Sequence, residues 1–506
     1  MSSTKQIAKN TLLLYFRQVL IILVSLYSVR VILDVVGIED YGVYNVVAGV
    51  VTLFGFLSGA MATASQRFFS YDIGKGDPEN LRITFNVTFY IYLLIVVLMI
   101  VLAESVGLWF VCKKMVIPPD RIIAAKWIYQ FSILGFAVTL ITTPYIASII
   151  AHENMQVYAY ASIVEAVLKL SIVFLLKVLP FDKLILYGFL LFAVSLINTA
   201  IYRVYCKQKY YECRIIKVWN GRIFGEIMKF TGWSIFGAFT SMARTQAITV
   251  LVNQFFSPVV VAARVISSQV TNMMTVFSSN FNTSLYAPIV KEYAADRKDA
   301  MFSLVFMGSK VTFFLMWIFS LPLLIRMEFF LTLWLKNVPD YVVLFTRLSI
   351  VEVLINSISF PTMTAARASG KVKLYELTLG SLQLMMFIVS YVWIRYFYGE
   401  AVIVYYVAII INIMMFITRL IILKKLVNFP LAKYLSKVVP IVCFIMVVSS
   451  IISLIVDRAL PLSFIGSSGL IITSLLVSSA LMYFIGLDKK SKQDINKTIK
   501  NRFVRA

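Results

Sequence analysis

Apolar runs of membrane-spanning length recur along this chain with only short polar breaks between them, and that recurrence limits what it can fold into. Runs such as Val87–Val111, Ile403–Leu423 and Leu470–Ile485 contain stretches able to cross a bilayer, which takes about 20 apolar residues in a helix. In hydrocarbon every backbone N–H and C=O needs an internal partner, so runs of this length fold as helices. Composition agrees: 60% of the 506 residues are hydrophobic and 14% are charged, with a mean hydropathy of +0.87. Soluble chains carry about 25% charge, so an ordinary cytosolic enzyme is excluded. The expected class is an all-α polytopic membrane protein.

A transfer-scale reading gives about fourteen spans. They cover 8–34, 41–70, 82–111, 121–150, 155–178, 184–205, 223–255, 259–287, 300–326, 341–367, 374–398, 401–425, 434–457 and 464–486. An even number puts both termini on one side. Of the 47 Lys and Arg residues, roughly 30 collect on one side and roughly 11 on the other; about six lie deeper in spans, namely Arg17, Lys169, Arg244, Arg264, Lys310 and Arg347. The rich side holds the segment from Arg203 to Lys229, the loop with Lys424, Lys425, Lys433 and Lys437, and the tail from Lys489 to Arg505. The positive-inside rule makes that side, with both termini, cytoplasmic. The net charge of +23 is therefore a topology and lipid-surface signal and implies no nucleic-acid partner. Cys206 and Cys213 share the basic loop expected in the reducing cytoplasm, and with Cys112 and Cys443 they form neither a disulfide framework nor a metal-type cluster. The first apolar segment lacks a small-residue cleavage site and reads as an uncleaved helix.

Spans 4–5 and 10–11 share a pattern. Pro144 precedes Tyr158 as Pro361 precedes Tyr375, an offset of 217 from 144 to 361. Lys9 and Lys229, and the acidic loops at Asp77 and Asp296, repeat at nearly the same offset. Two six-helix halves of the same orientation follow, a parallel repeat that commonly places a substrate path between its halves. The chain would then divide into an N-lobe of helices 1–6 (1–205), a basic cytoplasmic linker (206–222), a C-lobe of helices 7–12 (223–425), two C-terminal helices (426–486) and a basic cytoplasmic tail (487–506).

Loops are too short to hold an ATPase domain, and no phosphate-cradling G-x-x-x-x-G-K-[ST] loop is present. His152, the one histidine, reads as an interfacial residue and not a ligand or base. Cations at the centre of a span cost about 2.5–3.5 kcal/mol each on insertion scales, so those that remain face a bundle interior or a watery cleft. Arg17 and Arg244 lie about 15 Å from the nearer end of their helices, far for a snorkelling side chain. Arg264 and Arg67 sit nearer helix ends, where snorkelling competes. On span 8, Arg264, Ser268, Thr271, Asn272, Thr275, Ser279 and Asn282 recur at three- and four-residue spacing and make one face hydrophilic. Span 7 carries Gly237, Ser241, Thr245, Thr249 and Asn253 with Arg244 beside them. Two polar-faced helices suggest a water-filled wall; tight helix packing through small residues is the competing explanation. Gly55 and Gly59 on span 2 fit that second explanation. Glu165 and Lys169, four apart, read as a self-neutralising pair, while Glu352 has only Arg347 nearby, at a poor angle. Either acid is a candidate for ion coupling.

These features, with the segment Gly37-Ile-Glu-Asp-Tyr-Gly-Val-Tyr-Asn between spans 1 and 2, resemble the Wzx-type polysaccharide flippases of the multidrug/oligosaccharidyl-lipid/polysaccharide (MOP) exporter superfamily. The resemblance covers the whole chain, and the G-x-x-x-Y-G-x-Y-N turn is its most specific motif. It implies two parallel six-helix lobes in a MATE-like V with two further helices, and a cationic cavity lined by helices 1, 2, 7 and 8. It also implies movement of a polyprenyl-diphosphate-linked oligosaccharide from the cytoplasmic to the periplasmic leaflet of a bacterial inner membrane, for O-antigen, capsule or exopolysaccharide assembly. Arg17, Arg67, Arg244 and Arg264 would then be cavity cations and Ser241, Thr245, Ser268, Asn272 and Thr275 sugar contacts. No catalytic residue, metal or cofactor is required, and a proton or sodium gradient is the candidate drive. Other polysaccharide-assembly membrane proteins are candidate partners. The alternative is an ion-coupled multidrug antiporter, which would want a dominant buried carboxylate facing an aromatic cavity. An oligosaccharide polymerase or ligase would want a long outer loop, and none is present.

Overall fold

The computed structural model describes residues 3–52, 54–113, 115, 117–335, 338–397, 399–461, 463–486 and 492. The expected tail at 487–506 lies outside them apart from Lys492, as do the side chains of Arg30, Asn45 and Cys112. The described chain is all helical, and twelve of its helices are long and apolar enough to cross a membrane. They begin at Pro78, so the segments expected as spans 1 and 2 are not among the twelve. It falls into two compact units, Asn10–Ala238 and Phe239–Ala506, the second including residues 1–9.

The first unit contains most of α1 (Ser3–Val36), then α2 (Ile38–Thr52), α3 (Gly55–Lys75), α4 (Pro78–Leu102), a π-helical turn leading to α5 (Leu108–Lys113), α6 (Ile122–Ala151), α7 (Met155–Val178), α8 (Lys183–Lys209) and the start of α9 (Gly221–Phe255). Two expectations change here. The span expected over 41–70 is two helices, α2 and α3, with a break after Thr52. The glycine-tyrosine motif is not a turn over its length either: Gly37 alone leaves the helix, at φ +88°, and the residues after it open α2. A positive φ suits glycine because it has no Cβ. Asp77 caps α4 by accepting from the Asn80 N–H with Pro78 in the first turn, and Asp182 caps α8 by accepting from Leu184 and Ile185. α6 is the centre of the unit, packed on α8, α3, α2 and α4. It buries Ile128, Tyr129, Ile133 and Leu140 in the unit's main core.

The connection after α8 is a strap over 210–220, with one 3-10 turn at Tyr211–Cys213. It is pinned to its own unit: the Ile216 N–H donates to Asn86 Oδ1 (2.8 Å) and Tyr90 OH donates to the Ile216 carbonyl (3.0 Å). Glu212 accepts from Ser148 Oγ (2.9 Å) and meets His152 Nε2 (2.7 Å), while His152 stacks on Tyr210 with ring centroids 4.3 Å apart. His152 is thus a strap anchor, more engaged than the expected interfacial residue. Cys206 and Cys213 are both free and buried, Cys206 inside α8 and not in the loop where it was expected.

In the second unit follow α10 (Pro258–Ala294), α11 (Lys298–Ile325), α12 (Met327–Leu335), α13 (Val342–Ser357), α14 (Phe360–Ala368), α15 (Lys373–Phe397), α16 (Ile403–Val427), α17 (Leu431–Lys437), α18 (Val439–Ala459) and α19 (Phe464–Leu481). α10 packs on α11, α13 and α14, and α16 on α13, α14 and α15, around one apolar core. The span expected over 341–367 stands as one candidate membrane span, Val342–Ala368, interrupted at Ile358–Ser359 between α13 and α14. Pro361 sits in the first turn of α14, where its missing N–H costs nothing.

Candidate functional site

The polar stripe of α9 and the polar face of α10 meet residues of α13, α15 and α16 around a cavity of about 400 Å³ within the second unit. Ser241, Arg244, Thr245, Arg264, Ser268, Asn272 and Thr275, all expected from the sequence, line it together with Thr271. The period of 3.6 explains why they share a wall: side chains three and four apart stack on one face of a helix. Their hydroxyls are used locally, Thr245 donating to the Ser241 carbonyl (3.1 Å), Ser268 to Arg264 (3.0 Å) and Thr275 to Thr271 (2.8 Å). Such back-bonding satisfies the O–H and leaves oxygen lone pairs for a ligand or water.

Charge in the cavity is unevenly matched. Arg244 Nη1 lies 3.1 Å from Glu352 Oε1, and the same oxygen accepts from Asn412 Nδ2 at 3.1 Å. Glu352, for which the sequence offered only a poorly angled Arg347, is therefore held by Arg244 of α9, and Arg347 is exposed. Arg264 has no such acid: its Nε donates to Thr249 Oγ1 (3.3 Å) and its Cζ lies 5.9 Å from the centre of the Tyr405 ring. A third guanidinium, Arg419 of α16, also lines the cavity. It is 8% exposed, and its Nε has no hydrogen-bond partner. Three guanidinium groups thus face one carboxylate among the lining residues. The lining residues therefore carry a surplus of positive charge, held in surroundings less polar than water.

Sequence reasoning missed Gln383, Tyr405, Asn412 and Arg419. Gln383 is on α15, while Tyr405, Asn412 and Arg419 stand seven residues apart on one face of α16, a stripe of two-turn spacing sparser than those of α9 and α10. For Arg419 a signal existed, an ionisable side chain inside an apolar run, but it lies about two turns from the basic end of α16, where a snorkelling side chain explains it equally well.

The other expected residues belong to the first unit. Arg17, 9% exposed, reaches Ser162 Oγ at 3.5 Å and Gln18 Oε1 at 3.3 Å, with its Cζ 4.7 Å from the centre of the Tyr158 ring. Arg67 sits among aromatic rings, its Cζ 4.6 Å from Phe68, 4.7 Å from Tyr71 and 5.9 Å from Phe230. Glu165 is paired with Lys169 at 2.6 Å, as its spacing suggested, and also accepts from Asn198 at 2.9 Å. Among the described residues no group of three His, Cys, Asp or Glu side chains is placed to hold a metal ion.

No protein-family model and no curated protein matches the sequence. Solved structures do match in fold. An outward-facing multidrug-resistance MATE family transporter of the MOP superfamily superimposes with a TM-score of 0.74 at 12% identity, over 85% of this chain and 96% of that one. A MOP superfamily transporter from Pyrococcus furiosus, described as having a binding pocket of reversed polarity that suggests a different function, gives 0.71 at 11% identity over 85% and 96%. The Vibrio cholerae MATE transporter VcmN, solved as a point mutant, gives 0.63 at 16% identity over 84% and 97%. At such identities the likeness speaks for the fold alone: the chain has an all-helical, MATE-like fold, with twelve helices among the described residues long and apolar enough to cross a membrane.

Proposed function

We propose that this protein is a flippase that carries a polyprenyl-diphosphate-linked oligosaccharide across the bacterial inner membrane by alternating access. The observation that carries this reading is the cavity in the second unit, where three guanidinium groups meet one carboxylate. A diphosphate and its sugars cannot cross hydrocarbon unaided. A hydrated cleft has to replace their hydration shell, and arginine does so with permanent charge and forked donors matched to phosphate oxygens. The neutral Ser, Thr, Asn and Gln side chains of the same wall suit sugar hydroxyls. A cleft that opens sideways lets the polyprenyl tail stay in the bilayer, and rocking of two lobes, 1–205 and 223–425, would alternate access. Fourteen spans with both termini in the cytoplasm, the last two at 426–486, complete the proposed topology. No step breaks a covalent bond, so the drive would be an ion gradient or removal of the product.

Glu352 favours a second reading, an ion-coupled multidrug antiporter, because it places a carboxylate in the cavity of a MATE-like fold. Its pairing with Arg244 weighs against capture of a cationic drug. One preparation of proteoliposomes tests both: leaflet translocation of a labelled polyprenyl-diphosphate oligosaccharide, and efflux of a cationic dye under an imposed proton or sodium gradient. Lipid translocation without dye efflux is the expected result. Gradient-driven efflux without translocation would replace the flippase by the antiporter.

A further inference from the structure

The span that opens with α4, Pro78–Val111, has 34 residues, about 51 Å of helix against a hydrocarbon layer of about 30 Å, so its ends stand in the head-group layers. Its first turns are polar, with Glu79, Asn80, Arg82 and Asn86, and the apolar run starts at Val87. The strap over 210–220 is fastened at that boundary, since Ile216 bonds to Asn86 before it and to Tyr90 after it. From Ile215 to Asn220 exposure alternates: Ile215, Lys217 and Trp219 are exposed, Ile216, Val218 and Asn220 half-buried. Arg214 is exposed too. Tyr211, 47% exposed, has Arg82 Cζ 4.5 Å and Arg214 Cζ 6.0 Å from its ring centre, and Arg82 Nη1 donates to its hydroxyl (2.6 Å). Trp219, 61% exposed, meets the Phe224 ring with centroids 4.9 Å apart. Two acids of this neighbourhood are engaged elsewhere: Glu212 is turned inward to His152 and Ser148, and Glu226 pairs with Arg222 at 3.1 Å. Among the described residues none of Arg82, Arg214 and Lys217 forms an ion pair.

Cations at a membrane boundary that have no acid of their own are matched by lipid phosphate, and an exposed tryptophan at that level belongs to the aromatic belt. We propose that the strap is a binding site for anionic phospholipid, in which Arg82, Arg214 and Lys217 meet head-group phosphate while Ile215 and Trp219 rest on the glycerol and upper acyl region of the same leaflet. The guanidinium groups offer forked donors suited to phosphate oxygens. A zwitterionic head group carries an amine that these cations repel, whereas a phosphatidylglycerol head group brings the phosphate charge without one. The bonds from Ile216 to Asn86 and Tyr90 hold the strap in place before lipid arrives, which lowers the ordering cost of binding. The site is built from the first unit alone and does not depend on what the cavity of the second unit carries.

The test places the purified full-length chain in phosphatidylcholine nanodiscs that receive increasing fractions of brominated phosphatidylglycerol or of brominated phosphatidylcholine. Bromine quenches tryptophan on contact, and subtracting the signal of a W219F chain isolates Trp219. Half-quenching is expected at a mole fraction of phosphatidylglycerol at least about threefold lower than of phosphatidylcholine. The double variant R214Q/K217Q should remove most of that preference; both side chains are exposed, so the fold should survive. R82Q should lower the preference as well, and if it does not fold the comparison rests on the double variant, thermal unfolding being followed throughout. The control K424Q/K425Q removes two exposed lysines from the end of α16 and should leave the preference unchanged. Equal quenching by the two lipids, or an undiminished preference in folded R214Q/K217Q, would overturn the site. Equal loss in K424Q/K425Q would also overturn it, by making the preference a diffuse effect of net charge. Inorganic phosphate is added at constant ionic strength against a chloride control: if it alone abolishes the preference, the site takes a soluble phosphate and the lipid proposal fails.

Discussion

Arg244 Nη1 and Glu352 Oε1 lie 3.1 Å apart, joining residues 108 apart in the chain, and this ion pair matches one of the three guanidinium groups lining the cavity to the carboxylate among the lining residues. With side chains only 21% and 17% exposed, the pair is not a surface contact that solvent would weaken to nothing. Its two members are not equivalent. Removing Arg244 strands a carboxylate whose other partner is an amide. Replacing Glu352 by Gln keeps an oxygen for Asn412 and Arg244 and removes the negative charge.

Glu352→Gln is accordingly expected to raise the cavity's cationic surplus, to tighten pyrophosphate binding by about three- to tenfold, and to change the melting temperature little. Arg244→Ala should instead destabilise the fold by about 1–3 kcal/mol, the cost of a buried polar group left unsatisfied. Calorimetry and thermal unfolding of the two variants decide it. Equal loss of stability, or weaker anion binding in the Gln variant, would show that Glu352 is not what holds Arg244.

A pH effect is expected at the strap over 210–220. Burial by itself would raise the Glu212 carboxyl, but its bonds to His152, to the backbone and to Ser148 outweigh that and hold it below its ordinary value of 4.5. A carboxyl depressed in the folded state stabilises the fold fully above its unfolded pKa, and that contribution is lost as the pH falls through the folded value. The strap should therefore hold at neutral pH and loosen in acid below about pH 4.5. Cys213 reports on it: the thiol is buried and pushed up, chiefly by burial and by Cys206 beside it, so little thiolate is present to react. His152→Ala should cost about 1–2 kcal/mol locally and speed maleimide labelling of Cys213 several-fold at pH 8. Labelling at the wild-type rate would show that His152 does not anchor the strap.

At the junction of α11 and α12 one guanidinium organises the connection between α18 and α19. Arg326, its side chain 3% exposed, meets Asp457 Oδ1 at 2.5 Å. It also donates to the carbonyls of Pro461 (2.9 Å) and Leu460 (3.0 Å) and to Ser467 Oγ (3.0 Å). Lysine cannot span this set, since its donors radiate from one atom. Arg326→Lys keeps a charge against Asp457 but leaves carbonyl acceptors unmatched, so it is expected to lose about 1–3 kcal/mol and to open the connection between α18 and α19 to proteolysis. Asp457→Asn should cost less, because the carbonyl and hydroxyl acceptors remain. Comparable stability of the Lys variant and the wild type in thermal unfolding would remove Arg326 from this role.

How far the site could be seen in advance follows from which signals are periodic. The walls made by α9 and α10 were legible because Ser241 and Thr245, and Arg264, Ser268, Thr271 and Thr275, repeat at helical spacing, and a repeat survives without knowing any partner. Glu352, Gln383, Asn412 and Arg419 come from three other helices whose more widely spaced polar residues line the cavity. Only tertiary packing brings them together, so neither the Arg244–Glu352 pair nor the place of Arg419 in the lining was visible. Hydropathy also joined α2 with α3 and did not register the interruption between α13 and α14 inside one span, because a helix break inside apolar sequence leaves mean hydropathy unchanged. Pro361 was the local mark of the second break, since proline sits well in a first helical turn, though Pro144, Pro288 and Pro322 lie inside helices that continue past them.

Arg17 in the first unit gives a cleaner contrast between folding and transport than any residue of the ion pair. Its guanidinium, 9% exposed, faces the Tyr158 ring and touches Ser162 and Gln18, and its Nε is without a hydrogen-bond partner. Uncharged contacts of this kind bind a cation with about 1–2 kcal/mol, too little to make it a main prop of the fold. Under the proposed function, Arg17→Gln should leave the melting temperature within a few degrees of wild type and lower the rate of lipid-linked oligosaccharide translocation at least tenfold. Arg17→Lys should recover part of it, since the charge returns while the flat stacking on Tyr158 does not. Translocation and unfolding measured on the same reconstituted preparation separate the alternatives. A large drop in melting temperature with normal translocation by the folded fraction would make Arg17 a packing residue, and equal failure of the Gln and Lys variants would point to the stacked geometry, not the charge, as what the site requires.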